Sequence, residues 1–366
     1  MKEQTSIVNR HESETQKVLP QIPSKQGTLI FGLMVQYLKD RLVNYLCEGH
    51  LEFKLVAESV HVSLNNLEDF IVNIIDDAKL FNEIEMETVT VLFLEENETL
   101  DFETFTKTQN FSKLYKLIKA KDLIYILNNK TLQTYFQPII DVKKNEIYAY
   151  ECLSRGIKQN GSVMSSQHIF RKASRLNDLL YYLDREARES ALTNAFANQI
   201  KSKLFINFIP TSIYKPETSL RDTFIWTEKL GIDPHNIVFE IIETEDIVDK
   251  EQLKSFLDTY RKYGFEIAID DIGNGYSSLS LLSHIRPEYI KVNMELIRDI
   301  DKNPFNQSIF VALSYISKEN GIKLLAEGVE TKEELDFCIS KDVDLIQGFY
   351  FSKPTLIPIK SINSLK

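Results

Sequence analysis

Two adjacent carboxylates, Asp270 and Asp271, follow the apolar run Ile267-Ala268-Ile269 and precede a loop that contains Gly273 and Gly275. The pattern predicts a strand that ends in a polar loop, where glycine permits backbone angles that side chains disfavour. Two carboxylates at a strand end repel one another, and a bound cation relieves that repulsion. Taken alone, however, either aspartate could simply cap a helix. The interpretation therefore depends on what the other predicted strands carry at their ends.

Other acidic and polar side chains also directly follow short apolar runs. They are Glu151, Asn207, Glu240 with Glu243 just beyond it, Lys291, Glu327 and Gln347. Because so many like charges would repel, their convergence on one place is hard to explain by stability alone. Oxygen ligands without histidine favour Mg²⁺ or Mn²⁺ over Zn²⁺. Hydrolysis of a phosphodiester by metal-activated water is the chemistry that such a site supports.

The apolar runs that precede these residues alternate with helical patterns from about residue 121 onward. The predicted strands are 134–142, 147–154, 204–208, 237–242, 265–269, 289–292, 323–325 and 344–349. Eight strands separated by helices predict an α/β fold, a TIM-like (β/α)₈ barrel. The carboxyl ends of barrel strands form one rim, so we expect the polar side chains to meet there.

The composition is that of a globular protein with an acidic surface. The 366 residues include 43 Lys or Arg and 53 Asp or Glu, and the net charge of −10 argues against a large nucleic-acid surface. The three cysteines form no CxxC pair, which predicts free thiols in a reducing compartment. The apolar run 29–35 is too short to span a bilayer, and polar residues predominate in 2–26, unlike a signal peptide. We therefore predict a cytoplasmic protein without membrane segments.

The residues before the predicted barrel form a different kind of sequence. Residues 1–27 lack periodicity and are predicted to be a flexible segment, followed by a small α+β domain over 28–120 and the barrel domain over 121–366. The predicted elements of the small domain are helices at about 29–47 and 65–80, a strand at 86–94 and a hairpin partner within 99–105.

This order of elements suggests a winged helix, and residues 55–63 have some features of a helix-turn-helix. Residues 1–120 nevertheless hold 12 Lys or Arg against 19 Asp or Glu. The helix that would read DNA carries Glu68, Asp69, Asp76 and Asp77, and phosphates repel an acidic helix. We therefore predict a docking or sensory module that binds another protein, rather than nucleic acid, and that regulates the barrel.

The residues around the predicted strand ends resemble those of one known family. Glu151-Cys152-Leu153-Ser154-Arg155 resembles the signature of EAL domains, the cyclic di-GMP phosphodiesterases. Further stretches similar to that family are Phe136-Gln137-Pro138-Ile139, Asn207, the runs 240–243 and 270–279, Ile290-Lys291-Val292-Asn293, and the runs 326–330 and 347–350. The resemblance covers about residues 125–355 in the family's order, which makes it highly specific.

The resemblance implies a barrel whose first strand is antiparallel to the others, and hydrolysis of cyclic di-GMP to linear pGpG. It implies two metal ions, Mg²⁺ or Mn²⁺. The ligands that it implies for the first ion are Glu151, Asn207, Glu240 and Asp270. It further implies that Asp270 bridges to a second ion, which Asp271 and Glu327 complete. Two such ions share and activate the attacking water.

The resemblance also implies roles for residues around the metals. Lys291 would orient the water, Gln347 would support the site, and Gln137 and Arg155 would contact the substrate, with Arg155 as a bidentate donor to a phosphate. Glu243 would brace the loop that contains Gly273 and Gly275. Because this loop couples dimerisation to metal binding in the family, the resemblance implies a homodimer formed through residues 270–280.

Several positions depart from the family's pattern. They are Cys152, Gly156, Ile209, Ile242, Ile272, Asn274 and Asn293. Ile242 replaces a threonine. Asn293 replaces an aspartate, and this second replacement would remove a charge partner of Lys291. These changes favour an alternative function, a catalytically impaired EAL domain that serves as a cyclic di-GMP receptor or as a protein-interaction module. The complete set of implied metal ligands favours the enzyme.

Overall fold

The structure, a computed structural model, describes residues 19–173, 177–209, 216–242, 250–273 and 278–362. The chain divides between Asn128 and Asn129 into two compact units. No helix among the described residues combines the length and the apolar character that a membrane crossing requires.

The first unit is built on a five-stranded antiparallel sheet with the strand order β2-β3-β1-β4-β5. Its elements are β1 (Gly27–Gly32), α1 (Gln36–Glu48), β2 (Phe53–Val56), β3 (Ser59–Leu64), α2 (Leu67–Val72) with a π-helical turn (Asn73–Asp77), α3 (Glu83–Thr88), β4 (Thr90–Glu95), α4 (Phe102–Phe105), β5 (Gln109–Asn110), α5 (Phe111–Lys119) and α6 (Lys121–Asn128). Leu29 and Phe31 of the central strand pack against α1 and α2 residues in one hydrophobic core.

The prediction of a helix over 29–47 is wrong for its first part, because residues 27–32 form the central strand β1. The spacing of Phe31, Met34 and Leu38 suggests one apolar helical face, yet Met34 is 97% exposed in the turn before α1. Leu29 and Phe31 are buried, whereas Thr28, Ile30 and Gly32 are only partly buried. This alternation is the two-residue period of a strand. The predicted helix over 65–80 does begin at Leu67, capped by Asn66.

The winged-helix prediction is also wrong. The segment 55–63, which has some features of a helix-turn-helix, lies in the β2–β3 hairpin, where Val60, Val62 and Leu64 alternate inward. The expected hairpin partner within 99–105 contains the short helix α4, which begins at its cap Asp101. The strand predicted at 86–94 runs from Thr90 to Glu95, because a capping box of Asn82 and Glu85 starts α3 before it.

The second unit is a closed eight-stranded barrel with helices between its strands. Its elements are β6 (Leu132–Asp141), β7 (Glu146–Ile157), β8 (Val163–Met164), α7 (Ser166–Ala173), α8 (Asn177–Ala197), β9 (Lys203–Phe208), α9 (Pro216–Leu230), β10 (Ile237–Ile242), α10 (Lys250–Lys262), β11 (Glu266–Ile272), α11 (Ser278–Ile285), β12 (Tyr289–Val292), α12 (Met294–Ile297), α13 (Pro304–Asn320), β13 (Lys323–Ala326), α14 (Lys332–Ser340) and β14 (Leu345–Ile346).

The barrel confirms the predicted fold, including all eight predicted strands. The strands from β7 to β14 pair in parallel around the barrel, apart from the two-residue strand β8. The first barrel strand, β6, is antiparallel to both of its neighbours, β7 and β14, as the family resemblance implies. Its pairing with β14 closes the sheet on itself.

The inside of the barrel is filled by one layer of apolar side chains. The members of this layer are Ile139, Ala149, Phe205, Val238, Ala268, Tyr289, Leu325 and Leu345, one from each of the eight strands. Because side chains alternate along a strand, the residue two positions nearer the rim faces the same interior. In the seven parallel strands that residue is two positions later, and in the antiparallel β6 it is two positions earlier. The positions of these eight apolar residues therefore identify the eight residues whose side chains face the barrel interior next to the rim.

Candidate active site

The eight inward positions above the apolar layer are all polar. They are Gln137, Glu151, Asn207, Glu240, Asp270, Lys291, Glu327 and Gln347. Each is a residue that the sequence places in the candidate site. The regular alternation of the eight strands thus brings all of them to one rim of the barrel, whereas Asp271 lies one residue out of this register.

Lys291 lies at the centre of the cluster, fully buried. Its Nζ is 2.5 Å from Oε1 of Glu240, 2.8 Å from Oε1 of Glu327 and 3.1 Å from Oδ1 of Asp270. Oε1 of Glu151 lies 3.5 Å away. One ammonium group therefore faces four carboxylates, three from different strands and one, Glu327, directly after β13, and they carry more negative charge than it can neutralise.

The pKa values of the cluster follow from burial and from this excess of carboxylates. Burial by itself would lower the pKa of Lys291, but the surrounding carboxylates outweigh it and raise that pKa well above its usual value. Burial raises the pKa values of Glu240 and Glu327 well above the ordinary range, and Lys291 only partly opposes it. The lysine therefore stays protonated, while the carboxylates lack enough positive charge around them.

Glu240 gives the clearest sign that the cluster is incomplete. Although Lys291 lies close to it, the contact lacks hydrogen-bond geometry, and neither oxygen of Glu240 accepts a hydrogen bond from a described residue. A fully buried carboxylate that accepts no hydrogen bond is costly, and the one ammonium beside Glu240 is shared with three other carboxylates, so one positive charge is too few for the cluster. The oxygen-only donor set and this unsatisfied carboxylate fit a divalent metal ion of the Mg²⁺ or Mn²⁺ type.

A second group of acidic oxygens lies beside the first. Asp270, Asp271 and Glu327 each offer an oxygen, and these three oxygens lie within 4.8 Å of one another. Asp271 reaches this group with a left-handed backbone, φ 59°, at the end of β11. Burial first, and then the charge of Asp270, raise the pKa of the Asp271 carboxyl. The three side chains could hold one cation together.

Three polar side chains lie beside the carboxylates on the rim. Nε2 of Gln347 donates to Oε2 of Glu151 at 2.7 Å, which fixes one oxygen of that carboxylate. Gln137 lies opposite Glu151 in the β6–β7 register and donates to the Ser352 carbonyl at 3.1 Å. Asn207 is paired with Glu240 in the register of β9 and β10, so their side chains are neighbours on the rim.

Arg155 lies further along β7, beyond the buried cluster. Its Nη1 donates to the Ser154 carbonyl and to Oγ of Ser166, both at 2.9 Å, and its guanidinium lies 5.6 Å from the ring centre of Tyr135. Burial lowers the pKa of Arg155, which nonetheless remains a cation because arginine titrates so high. The position beside the rim suits contact with an anionic group.

Four of the positions named from the sequence cannot be compared with the structure. Glu243, Asn274 and Gly275 lie outside the described residues, as does the side chain of Ile242. Gly273 is described and has φ 114°, a value that glycine adopts readily and that other residues avoid. The predicted brace between Glu243 and the following loop therefore stays a prediction.

In the structure Asn293 contacts Asp271 rather than Lys291, and the expected effect of this replacement on Lys291 stays a prediction. Nδ2 of Asn293 donates to Oδ1 of Asp271 at 2.5 Å, and Lys291 has four carboxylates near it without any contribution from residue 293. Sequence spacing places Asn293 two residues after Lys291 on the same strand. It does not show that β12 ends there and that Asn293 caps α12, which turns the amide toward Asp271.

Sequence reasoning missed Glu334, which accepts hydrogen bonds from two separate segments of the chain. Its buried carboxylate accepts from the backbone N–H groups of Glu330 at 2.8 Å, Thr331 at 3.0 Å and Asp299 at 3.1 Å. The pattern Thr331-x-x-Glu334 is a capping box, a signal that the sequence does contain. The bond to Asp299, 35 residues earlier, leaves no local signal.

The comparison with known protein families agrees with this geometry. The EAL domain family matches residues 120–354. Two curated relatives are named as phosphodiesterases. "Probable cyclic di-GMP phosphodiesterase PdeG" of Escherichia coli is 28% identical over 234 residues, which cover 62% of this chain and 45% of the relative. "Cyclic di-GMP phosphodiesterase PdeA" of Borreliella burgdorferi is 27% identical over 313 residues, which cover 84% and 44%. This chain thus spans less than half the length of either relative.

Solved structures show the same barrel. A standalone EAL protein from Vibrio cholerae O395, solved in its c-di-GMP bound form, is 36% identical, with a TM-score of 0.56 over 63% of this chain and 93% of that one. BlrP1 of Klebsiella pneumoniae, solved as a calcium/cy-diGMP complex, shares the fold at 24% identity and a TM-score of 0.58, over 92% and 98%. Together with the family match over most of its length, these similarities show that the chain belongs to the EAL domain family.

Proposed function

We propose that the barrel hydrolyses cyclic di-GMP to linear pGpG. The observation that carries the proposal is the group of four carboxylates around Lys291, of which Glu240 is buried without a hydrogen-bond donor among the described residues. Such a cluster suits the cations that assist attack on a phosphodiester. The names of the curated relatives, and the nucleotide in the Vibrio cholerae structure, support cyclic di-GMP as the substrate.

We assign two divalent ions, Mg²⁺ or Mn²⁺, to the rim. Glu151, Asn207, Glu240 and Asp270 would hold one ion. Asp270, Asp271 and Glu327 would hold the other, a set that agrees with the closeness of their oxygens. When bound, the pair of ions supplies an activated water and compensates for the negative charge of the phosphate.

The protein's own side chains then have distinct tasks. Because the carboxylates raise the pKa of Lys291, this residue acts as a proton donor in hydrogen bonds and as a fixed positive charge, not as a base. It would orient the attacking water and stabilise the charge that develops on the phosphate. Gln347 holds Glu151 in place, and Gln137 and Arg155 would contact the substrate beside it.

The direct test is hydrolysis of cyclic di-GMP by the purified full-length chain with Mg²⁺ and with Mn²⁺, following pGpG by chromatography. We expect product that depends on the metal, and Glu151→Ala is expected to abolish it. Glu146→Ala is the matched control, because Glu146 is an exposed glutamate on the same strand β7 and should leave the rate unchanged.

A different result would change the functional assignment. Binding of cyclic di-GMP without product, in both metals, would mean that the barrel is a receptor for the nucleotide. Absence of both product and binding would leave the interaction-module alternative. Product formation by Glu151→Ala at the natural rate would contradict the proposed metal set while leaving the activity established.

We further propose that the chain forms a homodimer through residues 270–280. Leu279, in the first turn of α11, exposes 61% of its surface, and an apolar side chain at that position suits an interface. Sedimentation at micromolar concentration is expected to show a dimer, and a monomer there would contradict the proposal.

The N-terminal unit, with its own sheet and core, is proposed to bind a protein partner and to regulate the barrel.

A further inference from the structure

The short helix α12 lies between the segments that carry Asp271 and Glu327. At its start, Asn293 uses both ends of its amide. Nδ2 donates to Oδ1 of Asp271 at 2.5 Å, and Oδ1 accepts from the N–H of Glu295 at 2.6 Å. Because the helix N–H requires an acceptor, the amide orientation is fixed and the donor must face the aspartate. Asn293 itself is buried, and both of these bonds are at least partly shielded from solvent.

The other end of α12 is tied to the loop that follows Glu327. The two oxygens of Glu334 serve different segments, since Oε1 accepts from the N–H of Asp299 and Oε2 accepts from those of Glu330 and Thr331. A buried carboxylate with three backbone donors is a strong and directional link. Asp299 also has a left-handed backbone, φ 51°, a conformation that persists where its surroundings hold it.

The start of α12 is also packed closely against the loop that contains Glu327. A Cβ atom on Gly328, the residue after Glu327, would lie 2.3 Å from Cβ of Met294, the first residue of α12, so the helix leaves no room for a side chain there. The N–H of Glu327 donates to the carbonyl of Val292, the last residue of β12, at 3.2 Å. The Glu327 loop is therefore held at the start of α12 as well as by the Glu334 bond to Asp299 beyond its end.

We propose that Asn293 and Glu334 are positioning residues that, through helix α12, hold the carboxylates of Asp271 and Glu327 at the separation needed to share one divalent cation. The inference rests on the proposed function, because it concerns the second of the two metal ions assigned there. It adds that the geometry of this ion's ligands is set by two residues that touch neither metal nor substrate.

Helix capping alone would not require this arrangement. Serine caps a helix about as well as asparagine, and a capping box needs only the bonds within its own helix start. The contacts that go beyond capping are those of Asn293 with Asp271 and of Glu334 with Asp299. A test must therefore keep the caps and remove these two contacts.

The experiment measures Mn²⁺ binding to the full chain without nucleotide, by calorimetry and by the electron paramagnetic resonance signal of free Mn²⁺. In Asn293→Ser the hydroxyl still caps α12 but is too short to reach Asp271. In Glu334→Gln only the side-chain oxygen can accept hydrogen bonds from backbone N–H groups, because the NH₂ group of the amide is a donor. The variant can therefore keep its bonds to one of the two segments but not to both. We expect two ions per wild-type chain, and each variant should bind one of them about 10–100-fold more weakly, with the other unchanged.

Matched controls exist for both substitutions. Asn303 caps the long helix α13 through the N–H groups of Phe305 and Asn306, so Asn303→Ser makes the same change away from the rim. Glu333 is an exposed neighbour of Glu334 in the first turn of α14, so Glu333→Gln removes the same charge. Both controls should bind two ions with wild-type affinity.

The outcomes separate this inference from the proposed function. If the wild type binds two ions and both variants do so with unchanged affinity, α12 does not position the ligands, and the proposed function stands. If the variants lose both ions together with their thermal stability, the residues are merely structural and the inference fails. If the wild type binds no Mn²⁺ at all, the proposed metal chemistry fails and the inference fails with it.

Discussion

Lys291 determines the charge balance of the rim. It is buried among Glu151, Glu240, Asp270 and Glu327, and a cluster of buried carboxylates is costly without positive charge beside it. In the metal-free protein, the ammonium group is therefore a stabilising element as well as a part of the proposed mechanism.

Replacement of Lys291 by methionine should destabilise the metal-free protein. We expect the free energy of unfolding in urea, measured with a chelator present, to fall by roughly 3–5 kcal/mol, because buried carboxylates lose their partner. Added Mn²⁺ should recover part of the loss. Lys318→Met is the control, since Lys318 and Asp342 form an exposed pair at 3.5 Å whose loss should cost below about 1 kcal/mol. Equal losses in the two variants would contradict the assignment.

At the residue scale, the sequence predicts well which side chains face the barrel interior. It predicts poorly which side chains of neighbouring elements contact one another. A polar residue that ends an apolar strand has its direction set by the two-residue period, so Glu151, Glu240 and Lys291 can be placed without a structure. Asn293 lies past the end of its strand, where that period no longer applies. Its contact with Asp271 depends on where β12 stops and α12 begins.

The loop between β13 and α14 is the element on which the position of Glu327 depends. Gly328 has φ 69°, and an added Cβ would lie 2.3 Å from Cβ of Met294. Gly231 has a similar φ of 64° but no atom within 4 Å of such a Cβ. Alanine substitutions at these two glycines therefore distinguish two costs in the free energy of unfolding. One is the cost of a side chain at a left-handed backbone angle, and the other is the cost of the close contact with Met294.

Alanine substitution at the two glycines tests this packing. Gly231→Ala should lower the free energy of unfolding by about 1 kcal/mol, the cost of a left-handed backbone with a side chain. Gly328→Ala should cost about 1–3 kcal/mol more, because Met294 must move. Urea denaturation of both variants gives the comparison. Losses of equal size would show that α12 does not pack on this loop.

The start of α14 should make stability depend on acid pH. Burial alone would raise the pKa of Glu334, but its backbone hydrogen bonds and Arg298 lower it below the ordinary 4.5. A lowered carboxyl pKa stabilises the fold above the unfolded-state value, and the contribution disappears as the pH falls through the folded-state value. The free energy of unfolding should therefore fall below about pH 4.5 less steeply in Glu334→Gln than in Glu333→Gln. Parallel curves would show that Glu334 is not held in this way.

On the scale of the whole molecule, each of the two units has a hydrophobic core of its own among the described residues. Leu29, Phe31 and Phe70 belong to the core of the first unit, while Phe239, Tyr260 and Phe265 belong to the core between the barrel strands and their helices. A unit with its own core is expected to fold without the other.

A protein that consists of residues 129–366, the second of the two compact units, should therefore fold by itself. We expect circular dichroism to show one cooperative thermal transition and a mixed helix and strand spectrum. The same measurement on residues 19–128 should give a second, independent transition. A fragment 129–366 without a cooperative transition would contradict the independence of the barrel.

The two units also differ in how far the sequence predicts them. The barrel repeats one unit, a buried strand followed by a helix, so each apolar run confirms the interpretation of the others. The first unit has no such repetition. There the helical spacing of Phe31, Met34 and Leu38 arises from a strand, a turn and a helix in succession, and tertiary packing decides among them.

The antiparallel strand β6 has a consequence for how the protein is made. One edge of β6 pairs with β7, a near neighbour in the chain, but its other edge pairs with β14 and with Thr355, and the bond from Gln137 to Ser352 spans 215 residues. Because a ribosome releases the chain from its N-terminus, that edge stays open until almost all of the barrel has been synthesised. Ribosomes stalled at residue 340 should carry chains that proteases cut throughout the barrel. The nascent protein would thus acquire the complete rim, and with it the proposed activity, in one late step.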